Sequence, residues 1–197
     1  MLTIDPLGNR VSISYDSNGN PIELTDSAGG KSTFEYDDRN RLVRAVDPAG
    51  FSRQQSFDAY GNRINVTNEV GDRTELFYDD ANRGIRTRDS SGAETTRVLD
   101  AFGNTIRFRN ELGQTTSYEV DALNRVKSIA STDGRIHRKE YDAVGNQTGF
   151  TDPVGNSTKM EYDALNRLTR RVDPLSHETS FPYDAVGNLA TKVDRNG

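Results

Sequence analysis

The sequence predicts an all-β fold, an antiparallel β-hairpin repeat array of about nine 21-residue repeats that curls into a spiral or shell segment. Three observations predict it. An aspartate recurs at Asp16, Asp37, Asp58, Asp79, Asp100, Asp121, Asp142, Asp163 and Asp184, always 21 residues after the last. Turn-forming glycine and asparagine recur at two fixed phases of that period. Between the turns lie short segments of alternating character, with no helical stripe of useful length.

The first turn follows the aspartate. Counting each aspartate as zero, position +3 holds Gly19, Asn40, Gly61, Asn82, Gly103, Asn124, Gly145, Asn166 and Gly187. Glycine and asparagine are the residues that enter the left-handed region at least cost. Position +3 is therefore expected at positive φ, in a turn whose aspartate bonds backbone groups two residues on. A second turn is expected about ten residues later. It opens on Asp26, Asp47, Asn68, Asp89, Asn110, Asp152, Asp173 and Asp194, and it carries glycine or Ser176 at +13, from Gly8 to Gly197. Pro6, Pro48, Pro153 and Pro174 follow at +11, where a preset φ suits a turn.

The segment before each aspartate alternates. In Thr33-Phe34-Glu35-Tyr36, Phe34 and Tyr36 share one face and Thr33 and Glu35 the other. Leu76 and Tyr78, Tyr118 and Val120, Met160 and Tyr162, Phe181 and Tyr183 repeat the pattern. The residue just before the aspartate is aromatic in Tyr15, Tyr36, Phe57, Tyr78, Tyr141, Tyr162 and Tyr183, whereas Leu99 and Val120 replace the ring. The tyrosines are expected on a concave face and less exposed than Glu35, Glu119, Glu140 and Glu161. A second strand follows the first turn, carrying Ile22 and Leu24, Ile64 and Val66, Ile106 and Phe108. A slower rhythm lies above this one. Odd copies read Gly-Asn and even copies Asn-Arg, which points to a 42-residue unit.

Two strands per repeat give about eighteen strands. An open twisted sheet of that size curls, splits or closes, and a curled sheet surrounds space instead of filling it. Composition agrees. Leu, Ile, Val and Phe make up about a fifth of the chain, little for one deep core. The net charge of −5 leaves no basic footprint for nucleic acid. There is no cysteine, no apolar run of membrane-spanning length and no signal-peptide pattern near the start. The whole of 1–197 reads as one array. It starts and stops out of phase, as a segment of a longer one would, and its terminal strands are expected to self-associate or else to fray.

The strings Asp152-Pro153-Val154-Gly155-Asn156, Tyr162-Asp163-Ala164-Leu165-Asn166-Arg167-Leu168 and Tyr183-Asp184-Ala185-Val186-Gly187-Asn188 resemble the YD repeats of Rhs proteins, of the C component of insecticidal toxin complexes and of teneurins. That resemblance implies a hollow β-shell, secreted or at the cell surface, with the remainder of the shell and an enclosed toxin or cargo segment as partners. The self-cleaving core and toxin domain of bacterial members are not recognisable here, so the resemblance carries over an encapsulating role and no activity. The alternative is an extracellular carbohydrate- or receptor-binding module.

No catalytic, cofactor or metal residues are expected. Acid–base work needs two differentiated carboxylates, and nine equivalent aspartates fit turns better. Gly29-Gly30-Lys31-Ser32 hints at a phosphate loop but has Thr25 where the first glycine belongs. His137 and His177 have no partner at zinc spacing. Asn65-Val66-Thr67 and Asn156-Ser157-Thr158 are glycosylation sequons by pattern only. Aromatic ladders could also stack sugars, although inward rings would serve packing.

Overall fold

The computed structural model describes residues 2–4 and 10–193. The turn positions read at Pro6, Gly8, Asp194 and Gly197 lie outside the described residues. Eighteen strands are present among the described residues, from β1 (Leu2–Ile4) to β18 (Glu178–Ser180), with no helix. The chain divides into two compact units, Met1–Thr96 and Arg97–Gly197, with the boundary inside β10 (Glu94–Leu99). Within each unit, consecutive strands pair antiparallel as a meander, so the all-β hairpin array is the observed fold.

One repeat of the first unit explains the rest. Strand β4 (Lys31–Tyr36) runs into the first turn, β5 (Leu42–Val46) returns, and β6 (Ser52–Phe57) follows the second turn. In the first turn the Asn40 N–H donates to the Asp37 carbonyl at 2.9 Å, and the Asp37 N–H donates to the Arg41 carbonyl at 3.0 Å. Asn40 sits at φ 59°. This is a hairpin closed by a left-handed residue. The second turn repeats the bonding through Asp47, Gly50 and Phe51, with Gly50 at φ 88°.

The two turns differ in what they do to the register. Across the first turn Glu35 faces Arg44, but Tyr36 faces Leu42, so Val43 is an extra residue and β5 carries a bulge. The same shift precedes the first turn in seven hairpins. Across the second turn the register is regular, with Arg44 on Gln54, Ala45 on Arg53 and Val46 on Ser52. The plain alternation read for the second strand therefore breaks near its start, and Ile22, at the bulge, is an exposed residue.

No described hydrophobic side chain is buried, and Thr179 is the one buried polar residue among them. The thin core expected from composition is, in these residues, no core at all. Stability rests on the backbone ladders and on cross-strand pairs, each contributing on the order of 0.2–1 kcal/mol. Tyr36, Tyr78, Tyr141, Tyr162 and Tyr183 are half-buried, while Glu35, Glu119, Glu140 and Glu161 are exposed. Tyr15 is more open, at 44% exposed. Several turn tips carry bare apolar side chains, such as Tyr60, Phe102 and Val186.

Candidate functional site

The 21-residue period converges on the seam of first turns. In all nine copies Oδ1 of the aspartate accepts the N–H groups of residues +2 and +4. For Asp37 these bonds come from Arg39 at 2.9 Å and Arg41 at 3.0 Å, and for Asp184 from Val186 and Asn188. The second oxygen, Oδ2, accepts the side chain at +4. That donor is Asn20 on Asp16, Asn62 on Asp58, Asn104 on Asp100, Asn146 on Asp142 and Asn188 on Asp184 in odd copies. It is Arg41 on Asp37, Arg83 on Asp79, Arg125 on Asp121 and Arg167 on Asp163 in even ones. Position +3 is left-handed throughout: Asn40, Asn82, Asn124 and Asn166 at φ 58° to 61°, and Gly19, Gly61, Gly103, Gly145 and Gly187 at φ 86° to 106°.

These bonds favour the charged carboxylate. The Arg167 side chain bonded to Asp163, and likewise Arg41 on Asp37 and Arg83 on Asp79, holds each carboxyl below its ordinary value. The Asn20 amide does the same for Asp16, and the Asn104 amide for Asp100. Both oxygens of every first-turn aspartate are thus committed to the turn, and the nine groups act alike.

The slower 42-residue rhythm has a physical cause in what position +4 does next. In an odd copy the asparagine amide reaches forward to the asparagine of the even copy. Asn20 donates to Asn40 Oδ1 at 2.9 Å, and Asn62 to Asn82, Asn104 to Asn124 and Asn146 to Asn166 repeat it. In three of the four even copies the guanidinium reaches forward to the ring that precedes the next aspartate; for the Arg83 copy that position is Leu99, which has no ring. Arg41 lies 4.4 Å from the centre of Phe57, Arg125 4.7 Å from Tyr141 and Arg167 4.3 Å from Tyr183. Arg125 also donates to the Asp142 carbonyl at 2.8 Å. Amide links and cation–ring links alternate along the seam.

Tyrosine adds a third link. The hydroxyls of Tyr78, Tyr141, Tyr162 and Tyr183 donate to the carbonyls of Arg63, Val126, Gln147 and Leu168, each 15 residues back, at 2.9 to 3.0 Å. Phe57 has no hydroxyl and serves only as the Arg41 platform. Sequence reasoning placed these rings on a shared face, and it missed both the hydroxyl bond and the arginine lying over the ring. The signal lay in the Asn-Arg pairs, which were visible as a rhythm without an assigned partner.

The two faces of each unit are chemically unlike. In both units every strand glutamate among the described residues lies on the face opposite the tyrosines, and several of them meet a cross-strand cation there. Arg44 pairs with Glu35 at 2.7 Å, Lys31 with Glu23 at 3.0 Å, and Arg170 bridges Glu161 and Glu178. Phe77 is an aromatic exception on the ionic face, covered by Arg86 at 3.7 Å. Among the described residues the tyrosine face has no strand carboxylate, but it carries Arg97, His137, Lys139 and Arg171 among its apolar residues. There His137 stacks on Phe150 with centroids 5.7 Å apart.

The remaining candidates are placed as follows. Lys31 of the glycine-lysine string is taken up by Glu23, and His177 Nδ1 lies 3.0 Å from Asp173. Asn65 bonds Ser56 and Arg73, and Asn156 bonds Asp152. Among the described residues, no group of three or more His, Cys, Asp or Glu could hold a metal ion, and no helix is long and apolar enough to cross a membrane.

The family model described as RHS Repeat matches residues 15–52 and 141–178. No curated protein sequence matches. Among solved structures, the crystal structure of TcdB2-TccC3-TEV is similar over 99% of this chain, at 14% identity and a TM-score of 0.67. That of TcdB2-TccC3-Cdc42 is similar over 100%, at 14% identity and 0.59. The Photorhabdus luminescens Tc holotoxin pore, with a substituted TccC3, is similar over 99%, at 14% identity and 0.60. These likenesses are of fold, and the chain spans 12% to 16% of the length of the chains it matches.

Proposed function

We propose that this chain, whose residues 15–52 and 141–178 match the RHS Repeat family model, is one Rhs-repeat, or YD-repeat, array forming part of the wall of a hollow β-shell that encloses a toxin or other cargo polypeptide. Its role is structural and non-enzymatic, and its full-length parent acts outside the producing cell. The observation that carries this reading is the absence of a buried hydrophobic side chain among the described residues, combined with two unlike faces. A sheet with no core of its own and one apolar, carboxylate-free face suits a wall with contents on that side. The aspartate seam suits it too, since its polar groups are spent on turn-to-turn bonds. One of the solved structures similar in fold is by name a Tc holotoxin pore, which agrees with the reading.

The carbohydrate-binding alternative is less well supported. Sugar stacking needs open ring faces, and Phe57, Tyr141 and Tyr183 have an arginine over them. The encapsulation reading is tested on the full-length gene product by limited proteolysis. The segment following the repeats should stay intact while the wall is intact, and should be digested once acid or denaturant opens the repeats. Digestion of that segment at the rate of a free polypeptide, with the repeats still folded, would overturn it.

A further inference from the structure

The row of rings beside the first turns is interrupted in the second unit at Leu99 and at Val120, and a shaped space lies at Val120. Tyr141, Tyr162 and Tyr183 each fill their slot and donate to the carbonyl 15 residues back. Counting back 15 from Val120 reaches Thr105. Valine has neither ring nor hydroxyl, so the Thr105 carbonyl lacks the phenol that its counterparts receive. A groove of about 420 Å³ opens there, lined by Arg97, Thr105, Phe108, Tyr118, Val120 and Val126, with the Asn104–Asn124 amide pair alongside. That volume falls within the range of small ligand sites, roughly 300–1,000 Å³.

The groove has a charge as well as a shape. The Arg97 guanidinium lies 6.0 Å from the centre of Phe108 and makes no ion pair among the described residues. The strand glutamates are all on the other face. Asp100 and Asp121, the nearest aspartates in sequence, have both oxygens bonded within their own turns. A cation without a carboxylate, beside a vacancy left by a missing phenol ring, calls for a ligand that brings both.

We propose that this groove binds the tyrosine side chain of an extended polypeptide segment that carries a carboxylate within two or three residues of that tyrosine. The ring lies against Phe108, Tyr118 and the two valines. Its hydroxyl donates to the Thr105 carbonyl, as the protein's own tyrosines do one repeat onward, and the carboxylate accepts from Arg97. The groove suits a sugar less well, because no carboxylate lines it to accept the sugar hydroxyls. Nothing in the proposal depends on the wall role of the array.

The test is an NMR titration of the isotope-labelled 197-residue chain with the peptide acetyl-Glu-Gly-Tyr-amide. Saturable shifts are expected over Thr105–Val126. Replacing glutamate by glutamine should weaken binding about tenfold, the size of a charge-assisted bond, and Arg97→Gln should produce the same loss. Arg97 is exposed, so that variant keeps its fold. Val120→Tyr should abolish binding and raise the melting temperature, because the chain's own ring then takes the slot. The proposal is overturned by equal binding of the glutamate and glutamine peptides, by unchanged binding to Val120→Tyr, by no saturable shift with the peptide, or by tighter binding of glucuronic acid.

Discussion

The hydroxyl of the tyrosine before each first turn should be worth measuring three at a time. Tyr141→Phe, Tyr162→Phe and Tyr183→Phe each delete one bond of 3.0 Å to a carbonyl and leave the ring in place. A hydrogen bond of this kind contributes about 1 kcal/mol net, within a span of about 0.5–1.5. The three sites are two strands apart, on the order of 10 Å at the usual strand spacing, so their effects should add. The triple variant then loses about 3 kcal/mol. For a chain of this size, 1 kcal/mol moves the melting temperature by roughly 2–4 °C, which gives a fall of about 6–12 °C. Circular dichroism during a thermal ramp reads it. Tyr60→Phe is the control, because Tyr60 is 82% exposed on a turn tip, and it should be silent. A triple variant that melts with the parent would refute the claim that these hydroxyls tie one repeat to the next.

Other perturbations reach the remaining parts of the seam. Gly61→Val puts a β-branched residue at φ 97° and should cost more than about 1 kcal/mol in urea unfolding; a neutral result would contradict the turn assignment. Asp37, Asp79 and Asp163 are held below the ordinary carboxylate value by bonds to arginine side chains. The stability they supply is therefore complete above about pH 4 and lost as pH falls through their lowered folded values. Urea midpoints taken down a pH series should decline in that window, and a flat profile would count against it. Deleting 21 residues between Asp121 and Asp142 brings Asn104 against Gly145, with no amide oxygen to meet it. Deleting 42 residues up to Asp163 brings Asn104 against Asn166. Calorimetry should find the chain with the 42-residue deletion melting above the one with the 21-residue deletion, although it is the shorter chain.

Much of this was legible in the sequence because turns are local. Asn40 and Gly61 announce positive φ by residue type alone, and Phe34, Glu35 and Tyr36 declare their faces by alternation. The bulge at Val43 was not legible. It follows from closing a hairpin with a left-handed residue at Asn40, and any side chain can occupy the extra position. The forward reach of Arg41 to Phe57 was equally hidden, because its partner lies one repeat away and a guanidinium looks the same in sequence whether it pairs, stacks or faces water. The amides of Asn20 and Asn40 were seen to alternate with their neighbours, but alternation alone does not say which donates to which. The groove at Val120 required knowing what a tyrosine does in that slot before its absence could mean anything.

Partners in the ladder are always close in the chain. Thr116 meets Ser131, and among the described residues no strand pairs farther back than the strand just finished. A polypeptide leaves the ribosome at roughly 5–20 residues per second, while a hairpin closes in about 1–10 μs. Each repeat therefore meets its partners within seconds of being made, and the farthest it waits for is the repeat that follows. An array of this kind is put up in the order it is read, one course on the last. Whatever such a message encodes after the array emerges beside a structure that is already standing.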